Sequence, residues 1–277
     1  MNNNQPTISF ITSVMNGART MERLLESLAV QSNRNFEQVV IDGGSTDGTV
    51  DILKKYDQSI AYWESEPDRG VFHAWNKALA HTRGKWVCFL GADDYLWKPG
   101  ILDLVVPILD EEQEKFSVIY GITNVVDATG AFRRALGQPW EQAYRDFFWN
   151  MSFPNPSTFW QQELFTTYGT FDESLKIVGD YEFSLRVLKE KDALFIDDVI
   201  TGMEEGGQSG NRKYAVATVK EVVVAQRMHN LTRIPVWLSP RVFRVRVHSL
   251  LARIFGEDRS LKMVNIYRKV MGKTKLP

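Results

Sequence analysis

The feature that most constrains the fold is an alternation of short apolar segments and amphipathic helical patterns in the first half of the chain. The apolar segments are six or seven residues long and rich in β-branched residues, which is typical of strands. Between them, apolar residues recur every three or four positions, as on one face of a helix. This alternation predicts a mostly parallel sheet with right-handed crossovers. The predicted strands cover residues 8–14, 36–42, 60–65 and 85–91.

The second half has a less regular pattern. It predicts two strands separated by a turn at Asp127–Gly130, where aspartate, threonine and glycine interrupt the apolar runs. A strand and a short helix are predicted within residues 155–169, and a further helix over residues 179–189.

Length and composition are those of an ordinary globular protein. The 277 residues are 44% hydrophobic and 24% charged, enough for a core that needs no disulfide. The single cysteine, Cys88, lies within an apolar run and is expected to be buried. The N-terminus is polar, and no stretch of 18 uncharged apolar residues occurs. We therefore expect a cytoplasmic protein with neither a signal peptide nor a membrane span.

Charge divides the chain into two parts. Residues 212–277 carry fifteen Lys or Arg and three acids, a net charge of +12, whereas the whole chain carries −1. Residues 1–211 therefore carry −13. We predict an acidic α/β domain over residues 1–211 and a basic helical extension over residues 212–277.

Three acidic segments follow predicted strands or open a predicted helix. The first is Asp42 with the glycine-rich loop after the second strand, where open α/β sheets bind ligands. Its alternative is a tight turn in which Thr46 or Asp47 caps the next helix. A calcium loop of the EF-hand type fits poorly, because Leu53 occupies the position of the bidentate glutamate.

The second acidic segment is Gly91–Asp94, at the end of the fourth strand. Two adjacent carboxylates repel each other unless a cation or solvent relieves them, and magnesium and manganese prefer such ligands. The alternative is a solvated turn before a helix at Pro99. The third segment places Asp180 at the start of a helix, where helix capping explains a carboxylate equally well.

The order and spacing of these segments resemble the family 2 glycosyltransferases, which have the GT-A fold. Each matching segment is short, and it is their joint order that is specific. The resemblance covers about residues 6–211 and rests on ISFITSVMNG, VVIDGGSTDGT, SEPDRGVFHAWNKAL, GKWVCFLGADD, FDESL, GDYEFSLR and EGGQS.

The resemblance implies a nucleotide-binding pocket. In this family, the aspartate matching Asp42 contacts the nucleotide base, the aspartate matching Asp68 lies beside it, and Thr12 borders the same pocket. It also implies a mobile loop that closes over the diphosphate. The loop residues are Gly206, Gly207 and Ser209.

The resemblance also implies a metal motif and a catalytic base. Asp93 and Asp94 match the motif Asp-x-Asp, whose first position here is Ala92. The expected assignment makes Asp94 the direct ligand of Mn²⁺ or Mg²⁺ and places Asp93 on the ribose or the metal. Asp180 matches the general base that takes the proton of the acceptor hydroxyl.

The activity implied is a metal-dependent, inverting hexosyl or N-acetylhexosaminyl transfer from a nucleotide-sugar, UDP-linked rather than GDP-linked. Residues 1–97 would bind this donor and residues 98–211 the acceptor. The acceptor would be a lipid-linked oligosaccharide of O-antigen, capsule or exopolysaccharide synthesis. Two departures leave the sugar open: His73 stands where many relatives have an acid, and Asn155 where relatives often have His.

The basic extension predicts a surface interaction. Residues 233–255 combine five arginines with aromatic and aliphatic residues, a pattern typical of helices that lie on an anionic membrane. A peripheral position on the inner face of the cell membrane is therefore expected. The alternatives are packing on the acidic domain and a homodimer interface. Nucleic-acid binding is not expected, since no recognised binding motif occurs.

Two other functions fit a fold of this kind. A sugar nucleotidyltransferase would need a basic, glycine-rich loop after the first strand, where this chain has SVMNGART with one arginine. A non-catalytic glycan- or partner-binding relative would be expected to lose the metal or base residues, whereas Asp93, Asp94 and Asp180 are present.

Overall fold

The structure is a computed structural model that describes residues 5–206 and 214–232 together with residues 247 and 250. The chain separates into two compact units, residues 1–207 and 208–277. The predicted boundary at 211/212 falls outside the described residues and stays a prediction.

The first unit is built on one mixed sheet. Within its described residues the strand order is β3-β2-β1-β4-β8-β6-β9-β5, and β7 pairs with β6. Strands β1 to β4 pair in parallel, as predicted, whereas β8 is antiparallel to both of its neighbours. The strands are β1 Ile8–Val14, β2 Phe36–Asp42, β3 Tyr62–Ser65, β4 Trp86–Gly91, β5 Asp94–Leu96, β6 Val118–Val126, β7 Phe132–Leu136, β8 Thr158–Gln161 and β9 Leu194–Glu204.

Helices connect the strands, and one helix of the second unit is described. The parallel pairs require crossover connections, which α1, α2 and α3 supply. The helices of the first unit are α1 Ala18–Ala29, α2 Thr49–Lys55, α3 Val71–Leu79, α4 Ile101–Glu112, α5 Trp140–Phe147, α6 Glu163–Thr167 and α7 Gly179–Leu188. In the second unit, α8 (Ala215–Met228) agrees with the helical extension predicted there.

The two faces of β4 explain why this strand is apolar throughout. Trp86, Cys88 and Leu90 belong to one core, together with apolar residues of α1 and α4. Phe89 points to the other face and packs against an aromatic cluster that includes Trp75 of α3. Fully burying such a side chain contributes about 1.5–3 kcal/mol. The expected burial of Cys88 is confirmed.

Three elements differ from the sequence prediction. The pattern did not predict β5, α5 or β9, although β9 is the longest strand that the structure describes. The pairing of β5 with β9 is antiparallel and joins Asp94 to Met203. Among the described residues, no helix is both long and apolar enough to cross a membrane.

Candidate active site

The predicted site lies where three parallel strands end side by side. In the sheet register, Val14 of β1 pairs with Asp42 of β2, and Ser13 pairs with Gly91 of β4. The loops that follow these strands therefore meet at one edge of the sheet. This is the edge at which open α/β sheets bind ligands.

Asp42 is fully buried and hydrogen-bonded by its own loop. Its Oδ2 accepts hydrogen bonds from the Gly44 amide (3.1 Å), the Ser45 amide (2.9 Å) and the Ser65 hydroxyl (2.6 Å). Its Oδ1 accepts one from the Ser45 hydroxyl. With both oxygens bonded inside the protein, Asp42 fixes the shape of the loop that follows β2.

The same loop also braces two helices. Asp47 accepts hydrogen bonds from the Thr49 amide at the start of α2 (3.1 Å) and from the Ala18 amide at the start of α1 (3.0 Å). Asn16, with a positive φ of 54°, accepts one from the Thr46 amide (2.9 Å). Asp47 thus bonds amides at the starts of both helices, although the N-cap residue of α2 is Gly48 and not Thr46 or Asp47.

Asp68 lies against the glycine that follows Asp42. Its Oδ1 accepts a hydrogen bond from the Gly70 amide (2.8 Å). A Cβ on Gly43 would stand 2.8 Å from Asp68 Oδ2, so the Asp68 carboxylate occupies the space that a side chain at residue 43 would need. Asp68 is half-buried, whereas Asp42 is enclosed. Of the two carboxylates, Asp68 is the one that a ligand can reach.

Thr12 and the predicted mobile loop complete the set of predicted binding residues. Thr12 is fully buried on β1, and its hydroxyl has no hydrogen-bond partner among the described residues. Gly206 has a φ of 120°, which favours glycine, and a Cβ there would have no atom within 4 Å. Gly207 and Ser209 lie outside the described residues.

Asp93 lies in the turn between β4 and β5, and Asp94 is the first residue of β5. Asp94 is 3% exposed, and its Oδ2 accepts a hydrogen bond from the Gly91 amide (2.6 Å). A Cβ on Gly91 would lie 2.7 Å from Asp93 Oδ1 and 3.2 Å from Asp94 Oδ2. Glycine at residue 91 therefore lets both carboxylates fold back over the end of β4. Ala92 is partly buried and packs on the core instead.

The electrostatics of this turn favour a bound cation. Burial raises the pKa of Asp94 well above its usual value, and the charge of Asp93 raises it further. Burial also raises the pKa of Asp93, and the charge of Glu204 adds to the effect. Asp94 Oδ1 is buried and has no hydrogen-bond partner within the described part of the chain. Such an oxygen suits a hard cation, which would remove the cost of burying it.

Two carboxylates are a small ligand set. The described residues hold no cluster of three or more His, Cys, Asp or Glu side chains that could bind a metal. Magnesium usually takes only one or two carboxylates from the protein, with substrate phosphates and water as its other ligands. The residues therefore fit a cation that arrives with a phosphorylated ligand.

Two arginines and a glutamate beside this turn were not predicted from sequence. Glu204, at the end of β9, accepts hydrogen bonds from both terminal nitrogens of Arg19 (3.1 and 2.6 Å) and from Arg23 (3.4 Å). Arg23 also donates to the backbone carbonyl of Asp93 (2.8 Å) and covers the Tyr95 ring at 4.6 Å. Arg19 and Glu204 are 185 positions apart in the chain, and a single sequence contains no pattern that predicts a contact between them.

Asp180 is the second residue of α7 and is half-buried. Its Oδ1 accepts a hydrogen bond from the amide of the next residue, Tyr181 (2.9 Å). The N-cap position belongs to Val178, and no side-chain capping hydrogen bond is present. Asp180 is therefore not the N-cap residue, but its carboxylate bonds a free amide in the first turn of α7, so the helix-end alternative stays open.

Gly179 sets how closely the start of α7 approaches α3. A Cβ at residue 179 would stand 2.8–2.9 Å from three ring atoms of Phe72. That is closer than carbon atoms can pack, so an alanine there must push α7 away from α3. The position of Asp180 depends on this contact, because the two residues are adjacent.

If Asp180 is the general base that the family resemblance implies, Gly179→Ala should reduce kcat about 10- to 100-fold, because a displacement of about 1 Å at a reacting group can cost that much. The overpacking should also lower the free energy of unfolding by about 1–3 kcal/mol. Initial rates and thermal unfolding measure the two effects. Adding Phe72→Leu removes the ring and should restore part of the rate. If Gly179→Ala alone has the kcat of the wild type, the contact between Gly179 and Phe72 does not position Asp180.

The two positions that depart from the family pattern are also placed. His73, on α3, accepts a hydrogen bond at Nδ1 from the Arg69 amide (3.3 Å), four residues earlier in the chain. Asn155 starts a 3-10 turn whose last residue, Ser157, lies in a buried ring of hydroxyls with Thr123 and Thr201 (2.7–2.8 Å). This ring fixes the turn to β6 and β9.

Sequence comparison finds a family match over the segments that carry Asp42, Asp68, Asp93 and Asp94. A family model described as glycosyl transferase family 2 matches residues 9–171, more than half of the chain. A PGL/p-HBAD biosynthesis glycosyltransferase of Mycobacterium tuberculosis is 29% identical over 186 residues, which cover 65% of this chain and 69% of the relative. A second M. tuberculosis glycosyltransferase, described as uncharacterized, is 30% identical over 210 residues, 75% of this chain and 79% of the relative.

Structural comparison confirms the predicted GT-A fold. Staphylococcus aureus TarS residues 1–349, solved with UDP-GlcNAc, superimposes with a TM-score of 0.62 at 21% identity. The match covers 79% of this chain and 66% of that one, slightly under two thirds. The mannosyltransferase PcManGT of Pyrobaculum calidifontis, solved with GDP-Man and Mn²⁺, gives 0.60 at 17% identity and covers 98% and 77%.

Proposed function

Because this chain belongs to glycosyl transferase family 2, we propose that it transfers a sugar from a nucleotide-diphosphate donor to an acceptor hydroxyl with inversion. The observation that carries the proposal is the pair of carboxylates at the end of β4. One oxygen of Asp94 is buried there without a partner in the described structure, which costs stability unless a ligand uses it.

The family resemblance gives the contact with the nucleotide base to Asp42 and places Asp68 beside it. We propose instead that Asp68 makes this contact directly and that Asp42 and Thr12 shape the pocket around the base. Asp42 has both oxygens bonded within its loop, whereas Asp68 Oδ2 lies over Gly43 at the rim. A carboxylate at this position suits an N–H group on the edge of uracil or guanine. The UDP and UDP-GlcNAc complexes of TarS support uracil, and the GDP-Man complex of PcManGT supports guanine as the alternative.

Asp94 and Asp93 would hold Mn²⁺ or Mg²⁺. Bound there, the cation would neutralise negative charge on the diphosphate leaving group. Asp93 is the more accessible of the two and can also reach a ribose hydroxyl. The presence of Mn²⁺ in the PcManGT complex supports this assignment. Gly206, with the loop residues Gly207 and Ser209, would close over the diphosphate.

Asp180 would act as the general base. As the acceptor oxygen forms its bond to the anomeric carbon, the bond from that carbon to the diphosphate oxygen breaks and the acceptor proton passes to the Asp180 carboxylate. A single displacement of this kind inverts the anomeric centre. The half-buried position of Asp180, which leaves part of its side chain accessible, supports this role.

The acceptor and the location are proposed from the same family resemblance. A hexosyl or N-acetylhexosaminyl group would pass to a lipid-linked oligosaccharide at the inner face of the membrane, in surface-polysaccharide synthesis. Residues 212–277 would supply the basic surface that contacts anionic lipids, or alternatively a homodimer interface.

Calorimetric titration of UDP and GDP, with and without Mn²⁺, tests the donor site. We expect one nucleotide to bind, and its affinity to rise at least 10-fold when Mn²⁺ is present, because Asp94 would hold the cation and its charge would attract the diphosphate. Asp68→Asn should weaken the preferred nucleotide about 10-fold, since one charge-assisted hydrogen bond is lost. The surface variant Asp51→Asn is the control.

Inversion is tested on the product. With each UDP-sugar and GDP-sugar offered to an acceptor panel, proton NMR of the new linkage should show the opposite anomeric configuration to that of the donor. A retained configuration would contradict the single displacement. Failure of every nucleotide to bind would instead favour a non-catalytic glycan-binding relative.

A further inference from the structure

We propose that Arg19 binds the diphosphate of the donor and that Glu204 holds its guanidinium in place before the donor arrives. This inference rests on the proposed function, since it concerns the same donor. Arg19 lies in the first turn of α1, which starts where β1 ends, at the edge of the sheet that carries Asp93 and Asp94.

The exposure of the two partners shows which of them a ligand can engage. The Arg19 side chain is 69% exposed, whereas the Glu204 side chain is 7% exposed. The pair is bidentate, with nitrogen–oxygen distances of 3.1 and 2.6 Å. The carboxylate is therefore fixed in the fold, and the guanidinium reaches out from it toward solvent at the rim of the site.

Glu204 also has a second arginine, which makes release of Arg19 inexpensive. Arg23 approaches Glu204 Oε2 at 3.4 Å and is anchored independently by the Asp93 carbonyl and the Tyr95 ring. If Arg19 moves to a phosphate, Glu204 keeps Arg23 as a counterion. A buried carboxylate with a single partner would lose its only compensation, a change that is strongly unfavourable.

The charge balance of the site calls for such a cation. Asp93, Asp94 and Glu204 are three acids within one small region, and a diphosphate adds further negative charge. One divalent cation does not offset this total. Arg19 is close enough for its charge to act on Asp93, and guanidinium binds phosphate oxygens in the same two-pronged geometry that it uses on a carboxylate.

The test compares a nucleotide with its nucleoside. In the presence of Mn²⁺, Arg19→Gln should weaken UDP binding about 10- to 100-fold by calorimetry, the loss expected for charge-assisted bonds to phosphate. Uridine binding, followed by saturation-transfer NMR, should be unchanged because uridine has no phosphate. Arg19→Lys should restore part of the affinity. If GDP is the nucleotide that binds the wild type, GDP and guanosine replace UDP and uridine.

A neighbouring ion pair provides a matched control. Arg134 and Glu205 pair at 3.1 Å on the surface, with side chains 48% and 50% exposed. Arg134→Gln should leave both affinities within about twofold, as expected for loss of an exposed pair. Glu204→Gln should weaken UDP binding, though less than Arg19→Gln does, because the guanidinium loses the carboxylate that holds it in place before the donor arrives.

Two results would overturn the inference. In one, Arg19→Gln binds UDP like the wild type. In the other, Arg19→Gln and Glu204→Gln both lose affinity for UDP and uridine in parallel, as expected if the pair only supports the fold. A wild-type protein that binds neither UDP nor GDP would refute the proposed function itself, and the inference with it.

Discussion

Asp180→Asn is expected to lower kcat by about 10²–10⁴ while leaving the nucleotide affinity within about twofold. The amide cannot accept the acceptor proton, and general-base assistance is typically worth a factor of this size. The amide oxygen can still accept the hydrogen bond from Tyr181, so the start of α7 should keep its conformation. Initial rates with saturating donor and calorimetric titration measure the two quantities.

The control for this variant is Asp110→Asn, an exposed carboxylate on α4 that the mechanism does not use. Its kcat should match that of the wild type. A wild-type rate in Asp180→Asn would remove the proposed base. A parallel loss of rate and nucleotide affinity would indicate that Asp180 serves the donor site instead. Donor hydrolysis in the absence of acceptor gives a further check, because it should fall less than transfer does.

The elements predicted best were those whose local pattern matches their environment. β4 is apolar along its length because both of its faces are covered, and β2 contains the apolar run Val39–Ile41. The ends of both strands were placed within one residue. The carboxylates at these strand ends were found for the same reason. The local sequence predicts where each parallel strand ends, and the carboxyl ends of parallel strands lie together at one edge of the sheet.

β9 was missed because its sequence does not look like a buried strand. Asp197 and Asp198 interrupt its apolar residues, and Asp198 pairs with Lys98 at 3.2 Å. The pairing of β9 with β6 also shifts register near Tyr120. Its stability as a strand comes from neighbours distant in sequence, which single-sequence periodicity does not detect.

α5 could have been predicted. Its apolar residues Trp140, Ala143, Tyr144 and Phe147 follow the spacing of one helix face, and Pro139 precedes the first turn. β5 is different, because it is three residues long and begins within the metal motif. A pattern of that length has no periodicity to read.

The Arg19–Glu204 pair illustrates why part of the site lies beyond sequence reasoning. An arginine in the first turn of a helix is ordinarily a solvated residue, and Glu204 is the last residue of a strand that the pattern did not predict. Only the antiparallel pairing of β5 with β9 brings Glu204 beside Asp93. The carboxylates could thus be predicted from their strands, whereas their counterions required the assembled sheet.

Asp94→Asn should raise the stability of the metal-free protein and weaken its binding of the metal ion. Burial and the charge of Asp93 raise the pKa of Asp94 in the folded protein. The folded state therefore holds the proton more tightly than the unfolded chain does, so this group lowers stability as pH rises above the usual aspartate pKa. The neutral asparagine removes that loss. We expect the metal-free variant to have a higher melting temperature than the wild type at neutral pH, and the difference to shrink toward pH 4.

The same variant should lose the ligand-dependent gain in stability. With Mn²⁺ and UDP at about 100 times their dissociation constant, the wild type should gain about 2.7 kcal/mol. Asp94→Asn should gain almost no stability from Mn²⁺ and UDP. Mutating a residue that only hydrogen-bonds to a metal ligand already lowers metal affinity about 10- to 100-fold, and loss of a direct ligand should lower it further. Thermal unfolding at several pH values, with and without Mn²⁺ and UDP, measures both effects, with Asp51→Asn as the surface control. If metal-free Asp94→Asn is instead less stable than the metal-free wild type, Asp94 supports the fold. A buried carboxylate that serves only to bind metal destabilises the metal-free fold, so removing its charge should raise the free energy of unfolding.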